Sequence, residues 1–222
     1  MKKGKVSNAV IRRLPRYYGQ LDSLYQVGVV RISSSALGKA MNLTASQIRQ
    51  DLSCFGEFGQ QGYGYKVTAL RAEIASILGM DRGFTAILIG VGNLGQALMC
   101  NFSFKAWGFD LKAAFDVKPE LIGTDYEGVP ILDVATLPQY LSENKIDAAV
   151  LCVPKTHAVA TTELLTRHGI NAIWNFTNVE LTSPESSTIV ENIHFSDSLL
   201  SLSYYISEDL DEKAARAARL NK

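Results

Sequence analysis

The sequence predicts an α/β chain in two parts, a small basic helical head followed by a parallel sheet wound with helices, and three observations lead there. The first is charge. Residues 1–80 carry 11 Lys/Arg against 4 Asp/Glu, a net +7, while residues 81–222 carry 11 against 18, a net −7, although the whole chain is neutral. A basic first part joined to an acidic second part points to a polyanion as the partner of the head. The second is a pair of short helix-forming segments joined by a tight turn at Asn42. The third is an alternation of apolar strand-like runs with helical ones from Phe84 onward, the pattern of βαβ units.

With 222 residues, 47% hydrophobic and 20% charged, the chain holds enough apolar surface for one or two cores and is too mixed to be disordered or fibrous. It has no uncharged apolar run of about 18 residues, and the opening MKKGKVSNAVIRRLPRYYG has no apolar signal core, so a cytoplasmic protein with no membrane segment is expected. Cys54, Cys100 and Cys152 form no CxxC pair, which suggests neither a disulfide framework nor a metal site. Cys54 and Cys152 stand among apolar neighbours and read as reduced packing residues.

In the head, Val10, Ile11, Leu14, Tyr17, Tyr18, Leu21, Leu24 and Tyr25 recur at three- and four-residue spacings, an amphipathic helix with Pro15 and Gly19 as weak points. Serines 33–35 offer N-caps for a short second helix, and Thr44 caps a third beginning at Ala45. This is the spacing of a helix-turn-helix, whose second helix lies in the DNA major groove. Ser46, Gln47, Arg49 and Gln50 would project from one side of it while Ile48 and Leu52 point inward. Arg reads guanine, and Gln reads adenine or touches phosphate. A polar helix alone reads first as a solvated face; the +7 charge, the short turn and a glycine-rich segment after it together reverse that and favour DNA. That segment, FGEFGQQGYGYKV, is expected to form a β-hairpin wing.

Past a junction at residues 79–83, Gly90-Val91-Gly92-Asn93-Leu94-Gly95 follows the apolar run AILI directly and opens a helix. In a GxGxxG turn the first glycine allows the bend, the second lets the backbone approach a pyrophosphate and the third permits close helix packing. Asp116, 21 residues after Gly95, ends the next apolar run, where a carboxylate accepts the ribose hydroxyls of NAD and repels the 2′-phosphate of NADP. A bare glycine fingerprint is also met by chance; strand, helix and acid at these spacings favour the dinucleotide. The domains expected are therefore a winged helix-turn-helix over residues 1–80, a Rossmann-like parallel sheet over 84–200 and a C-terminal helix over 201–222. No substrate domain remains, and His157, His168 and His194 are scattered, so no catalytic constellation is assigned and a small oxidoreductase is the lesser reading. His157 and His168 read as helix-end or surface residues, while His194 lies near the sheet's C-terminal edge.

From RLPRYY through SSSALGKAMNLTASQIRQDLSCFGEFG, GYGYKV, GVGNLGQAL, FDV, CVPK and NF to NIHF and LSYYI, the whole chain resembles the Rex family of bacterial redox-sensing transcriptional repressors. The resemblance implies a homodimer whose C-terminal helix is swapped into the partner, one pocket shared by NAD+ and NADH, and an inverted-repeat operator released by NADH. It places Gly90, Val91, Gly92, Asn93, Leu94 and Gly95 on the pyrophosphate and Asp116 and Val117 at the ribose. Val153, Pro154, Asn175 and Phe176 would run toward the nicotinamide, with Phe195 lining its pocket. Ser46, Gln47, Arg49, Gln50, Gln61, Tyr63 and Lys66 would face DNA.

The chain departs from the family at several of these places. Gln50 and Gln61 replace basic residues, which would lower the salt dependence of DNA binding by up to about 4 phosphate contacts per dimer. Gly19, Asn101 and His194 stand where the family has the arginine, tyrosine and aspartate that distinguish the reduced state. A divergent paralogue with altered redox response or operator is the alternative within the family, and a CoA-binding Rossmann domain the alternative for the ligand.

Overall fold

A computed structural model of the chain describes residues 6–56, 58, 63–182 and 187–220. It divides into one unit running to Gly83, with Ala106–Gly108, and a second comprising Phe84–Lys105 and the chain from Phe109 onward.

The first unit begins with α1, Asn8–Gln26, whose Ser7 cap accepts from the Val10 N–H. Pro15 lies inside α1 on the exposed side. A proline there removes a backbone bond at a cost of about 3 kcal/mol. The helix continues because Leu14, Tyr17, Tyr18 and Leu21 around it are buried in the core, each large apolar side chain contributing about 1.5–3 kcal/mol. Strand β1, Arg31–Ile32, leads to α2, Ser34–Met41, and α3, Ala45–Ser53. Ser33 caps α2 through the Ala36 N–H, Thr44 caps α3 through the Gln47 N–H, and Asn42 makes the turn in the left-handed conformation at φ 55°. Strand β2, Tyr65–Lys66, precedes α4, Val67–Ile77.

Of the segment expected to form a β-hairpin wing, residues 57 and 59–62 lie outside the described residues. β2 pairs antiparallel with β1, Arg31 opposite Lys66, so the described ladder of the wing begins before the helix-turn-helix rather than inside the glycine-rich segment. Two residues on each side suffice because Tyr65 and Ile32 both turn into the core.

Among the described residues, the second unit is a seven-stranded sheet. Its elements are β3 Phe84–Ile89, α5 Asn93–Asn101, β4 Phe109–Asp116, β5 Asp125–Tyr126, β6 Val129–Asp133, α6 Leu137–Glu143, β7 Ala148–Leu151, α7 Lys155–Arg167, β8 Ala172–Asn175, β9 Ile189–Asn192 and α8 Phe195–Leu220. The order is β5-β6-β4-β3-β7-β8-β9, parallel except for β5, which makes an antiparallel edge hairpin with β6. Both faces of the sheet are covered, as parallel sheets require. Ile87, Ile89 and Phe115 pack on one side with Leu137, Leu141 and Leu165, while Leu88 and Ala114 pack on the other with Met99 and Phe104. The order reverses between β3 and β7, and at such a switch point the loops leaving the carboxyl ends diverge and leave a crevice.

The tail helix starts at Phe195, six residues before the expected position, so the boundary set at residues 200/201 falls inside α8. The sheet ends at Asn192, opposite Asn175, and Asp197 in the first turn suits a helix N-terminus. Leu199, Leu200, Leu202, Tyr204, Tyr205, Ile206 and Leu210 of α8 are all more than half exposed.

The cysteines divide otherwise than expected. Cys152 packs against the same buried cluster as Trp174 and Phe176, and burial pushes its thiol up to about 12. Cys54, read as a packing residue, is exposed, because it caps the solvent end of α3. At pH 8 an alkylating reagent should label Cys54 and Cys100 in the native protein and Cys152 only after unfolding, as read by mass spectrometry; native labelling of Cys152 at a comparable rate contradicts this packing.

Candidate nucleic-acid interface and dinucleotide loop

Helix α3 divides into two faces. Ser46, Arg49, Gln50 and Ser53 are exposed, at the i, i+3, i+4, i+7 spacing of one helical stripe. Ile48, Asp51 and Leu52 are buried, and Gln47 is half-buried beside them. Gln47 therefore leaves the side on which the sequence placed it with Ser46, Arg49 and Gln50. Its side-chain amide donates to Asp51 Oδ1 at 2.7 Å. Asp51, with no exposure, also accepts from Arg13 Nε at 2.6 Å, Arg13 Nη2 at 2.8 Å and the Tyr17 hydroxyl at 2.7 Å. Burial pushes the Asp51 carboxyl up, but the hydrogen bonds from Arg13, Tyr17 and Gln47 outweigh it and hold it below the ordinary carboxylate range. Burial, followed by the bond to Asp51, raises the Tyr17 hydroxyl.

Arg49 extends from the outer stripe and donates to Ser34 Oγ at 3.0 Å. In the wing, Tyr63 and Lys66 are exposed, and Arg31 donates to the Tyr63 carbonyl at 3.0 Å. Gln61 lies outside the described residues.

At the carboxyl edge of the sheet, the loops are tied in sequence. Gly90 N donates to Phe115 O at 2.8 Å, Cys152 N to Ile89 O at 2.8 Å and Phe176 N to Leu151 O at 2.9 Å. Gly90 has φ +95°, and a Cβ there would lie 2.6 Å from Cys152 O. A Cβ on Gly95 would lie 2.0 Å from Gly90 O, so both positions exclude side chains. Gly92 differs, having nothing within 4 Å of a Cβ position. It is the N-cap of α5, and the first N–H groups of α5 have no side-chain cap. Open backbone at a helix N-terminus fits a pyrophosphate. Asn93 and Leu94 open α5 beside it.

Asp116 is buried and already occupied. Its Oδ2 accepts from Val91 N at 2.6 Å, and its Oδ1 accepts from Val117 N at 2.8 Å and Lys118 N at 2.9 Å. The acid thus holds the glycine loop against the end of β4. Val117, next to it, is 71% exposed.

Val153 is half-buried and Pro154 exposed where the chain passes from β7 into α7. A line of aromatics follows: Trp174 and Phe176 lie 4.6 Å apart between ring centres, and Phe176 and Phe195 6.1 Å. Asn175 is 1% exposed and serves its own loop, donating to Val179 O and Asn192 Oδ1 and accepting from the Thr177 N–H and hydroxyl.

The three departures from the family pattern are placed individually. Gly19 has open space about it. Asn101 bonds back to Ala97 O within its own helix. His194 Nε2 lies 2.8 Å from Glu180 Oε2, whose other oxygen accepts from Asn192 at 3.1 Å. A carboxylate is thus present beside His194, supplied from another loop.

The sequence reading missed Glu180, Asn192 and the Arg13–Tyr17–Asp51 group. Asp51 carried a signal: it falls on the inward stripe with Ile48 and Leu52, and a charge at a core position demands partners. Glu180 carried none, because its approach to His194 depends on how the β8–β9 connection folds. Among the described residues no group of three His, Cys, Asp or Glu comes together as a metal site, and no helix is long and apolar enough to cross a membrane.

Comparison with known proteins matches both halves. A family model described as a putative DNA-binding protein N-terminus covers residues 5–53, and one described as a CoA binding domain covers 81–179. The redox-sensing transcriptional repressor Rex of Thermoanaerobacter pseudethanolicus is 50% identical over 208 residues, 94% of this chain and 92% of that one. That of Clostridium acetobutylicum is 48% identical over 207 residues, 93% and 96% of the two chains. A crystal structure of RSP in complex with beta-NAD+ and operator DNA is 48% identical, with a TM-score of 0.85 over 96% of this chain and 97% of that one. RSP in complex with beta-NADH is 46% identical, with a TM-score of 0.86 over 95% and 99%. With half of its residues shared along nearly its full length, and with the capped recognition helix and the open glycine loop both in place, the chain belongs to the Rex family of redox-sensing transcriptional repressors.

Proposed function

We propose that this chain is a homodimeric repressor that binds inverted-repeat operator DNA in the cytoplasm, holds NAD+ or NADH at its glycine loop, releases the operator when NADH binds, and catalyses no reaction. The observation that carries this reading is a relative, 48% identical and matching 96% of this chain, solved with beta-NAD+ and operator DNA together. Both elements needed for those two partners present open faces here. Ser46, Arg49 and Gln50 would enter the major groove, with Tyr63, Lys66 and Gln61 of the wing on the flanking backbone.

The residues at the sheet edge fit a dinucleotide. Gly90 to Gly95 would take the pyrophosphate on the free N–H groups of α5, and Asp116 would keep that loop in shape while Val117 borders the ribose. Val153, Pro154, Phe176 and Phe195 would line the nicotinamide end, and Asn175 would act through the loop it organises. The exposed apolar positions of α8 support its packing into a partner protomer, because so long an apolar surface on one helix requires a cover. A dimer would also set the spacing of two operator half-sites.

Fluorescence anisotropy of a labelled inverted-repeat DNA, titrated with protein alone, with NAD+ and with NADH, tests the reading as a whole. Binding lost with NADH is the expected result. DNA binding indifferent to NADH, or lost with CoA instead, overturns the ligand assignment. Arg49→Ala should weaken specific DNA at least about tenfold and leave NADH affinity unchanged.

Asp116→Ala should weaken NADH about ten- to hundredfold by calorimetry, because Val91 N loses a charged acceptor. Unchanged affinity would show that the carboxylate does not shape the site. Replacing Leu202 and Ile206 together by Asp should convert the dimer to monomer in sedimentation and lower operator affinity with it. A dimer of unchanged stability would remove α8 from the interface.

A further inference from the structure

We propose that Gln47 and Asp51 are positioning residues of the recognition helix, and that base reading by α3 is confined to the outer stripe of Ser46, Arg49 and Gln50. This rests on the reading of the head as a DNA-binding unit and goes beyond it by dividing α3 into residues that read and residues that aim.

The division follows from hydrogen-bond chemistry. A glutamine reads adenine with both ends of its amide at once, the oxygen accepting and the nitrogen donating. An ionised carboxylate only accepts, so the nitrogen of Gln47 must face Asp51, 2.7 Å away. Turning Gln47 outward to a base would take a donor from a carboxylate with no exposure to water, and a buried acceptor resists that loss strongly. Gln50, one residue beyond Arg49, is exposed and its amide is free of any such claim by a buried charge.

Asp51 gathers donors from two helices. Arg13 reaches it with two nitrogens and Tyr17 with its hydroxyl, both from α1, and Gln47 joins from one turn back on α3. A two-nitrogen grip on a carboxylate fixes orientation as well as distance. The rotation of α3 about its axis is thus set against α1, and the same rotation decides which side chains face outward. Arg49, whose guanidinium already reaches Ser34 across the turn, is held on the outer stripe.

Binding-site selection from a library of randomised half-sites, run on the full-length protein, separates the roles, with each affinity expressed per folded molecule. Gln47→Ala should lower affinity at least about tenfold for all sequences alike, from loss of one charged hydrogen bond, and leave the preferred base at every position unchanged. Asp51→Asn should do the same to a larger extent. Gln50→Ala and Arg49→Ala should each relax the preference at one position. A preference relaxed at a single position by Gln47→Ala overturns the proposal, and so does an affinity per folded molecule that Gln47→Ala leaves unchanged. A double-mutant cycle of Gln47→Ala and Asp51→Asn on urea unfolding gives a readout free of DNA. Coupling between the two supports the proposal, and additive effects overturn it. If the unmodified protein selects no sequence, the DNA-binding reading fails, and the cycle still decides whether Gln47 and Asp51 act together.

Discussion

Asp51 carries a charge with no exposure to water, and the geometry of the head follows from that condition. A buried carboxylate is tolerated only when donors surround it, and here four hydrogen bonds reach it from Arg13, Tyr17 and Gln47. Removing one partner of such a pair costs about 3–5 kcal/mol, whereas an apolar replacement of the whole group is often neutral. The group therefore serves arrangement more than stability. It specifies one seating of α3 on α1, with Ile48 and Leu52 closing the core beneath.

A second buried carboxylate does comparable service in the sheet. Asp116 ties the loop after β3 to the end of β4 through three backbone donors. The close approach of Gly90 to Cys152 O and of Gly95 to Gly90 O leaves that loop one course. What remains open is the stretch at Gly92, where α5 begins without a side-chain cap. A helix start of this kind keeps unpaired donors and a partial positive charge. In the function proposed here, an anionic ligand takes the place of the missing cap. The same Asp116 that sequence spacing marks as a ribose acceptor is thus first a support for the phosphate loop.

The helix-turn-helix, the order of the βαβ units and the glycine loop were legible because each is written in local terms. Ser33 and Thr44 cap their helices through backbone groups three residues on, Asn42 takes the left-handed turn, and the runs at 84–89 and 148–151 have the lengths of central strands. The start of α8 is not legible in NIHF, because the place where strand pairing stops depends on the partner β8. The apolar neighbours of Cys54 in sequence point inward, but its exposure is set by where α3 ends.

By itself, then, the sequence determined the elements, their order and the two kinds of partner surface, because caps, periodicity, glycine spacing and charge act over a few residues or through bulk composition. Tertiary structure alone decided which polar groups those surfaces offer. Gln47 turned to Asp51 rather than outward, Asp116 turned to Val91 N, Asn175 turned to its own loop, and Glu180 arrived beside His194. Each of these depends on a donor or acceptor brought near by folding, and a buried polar group takes the partner that packing supplies before any ligand is present.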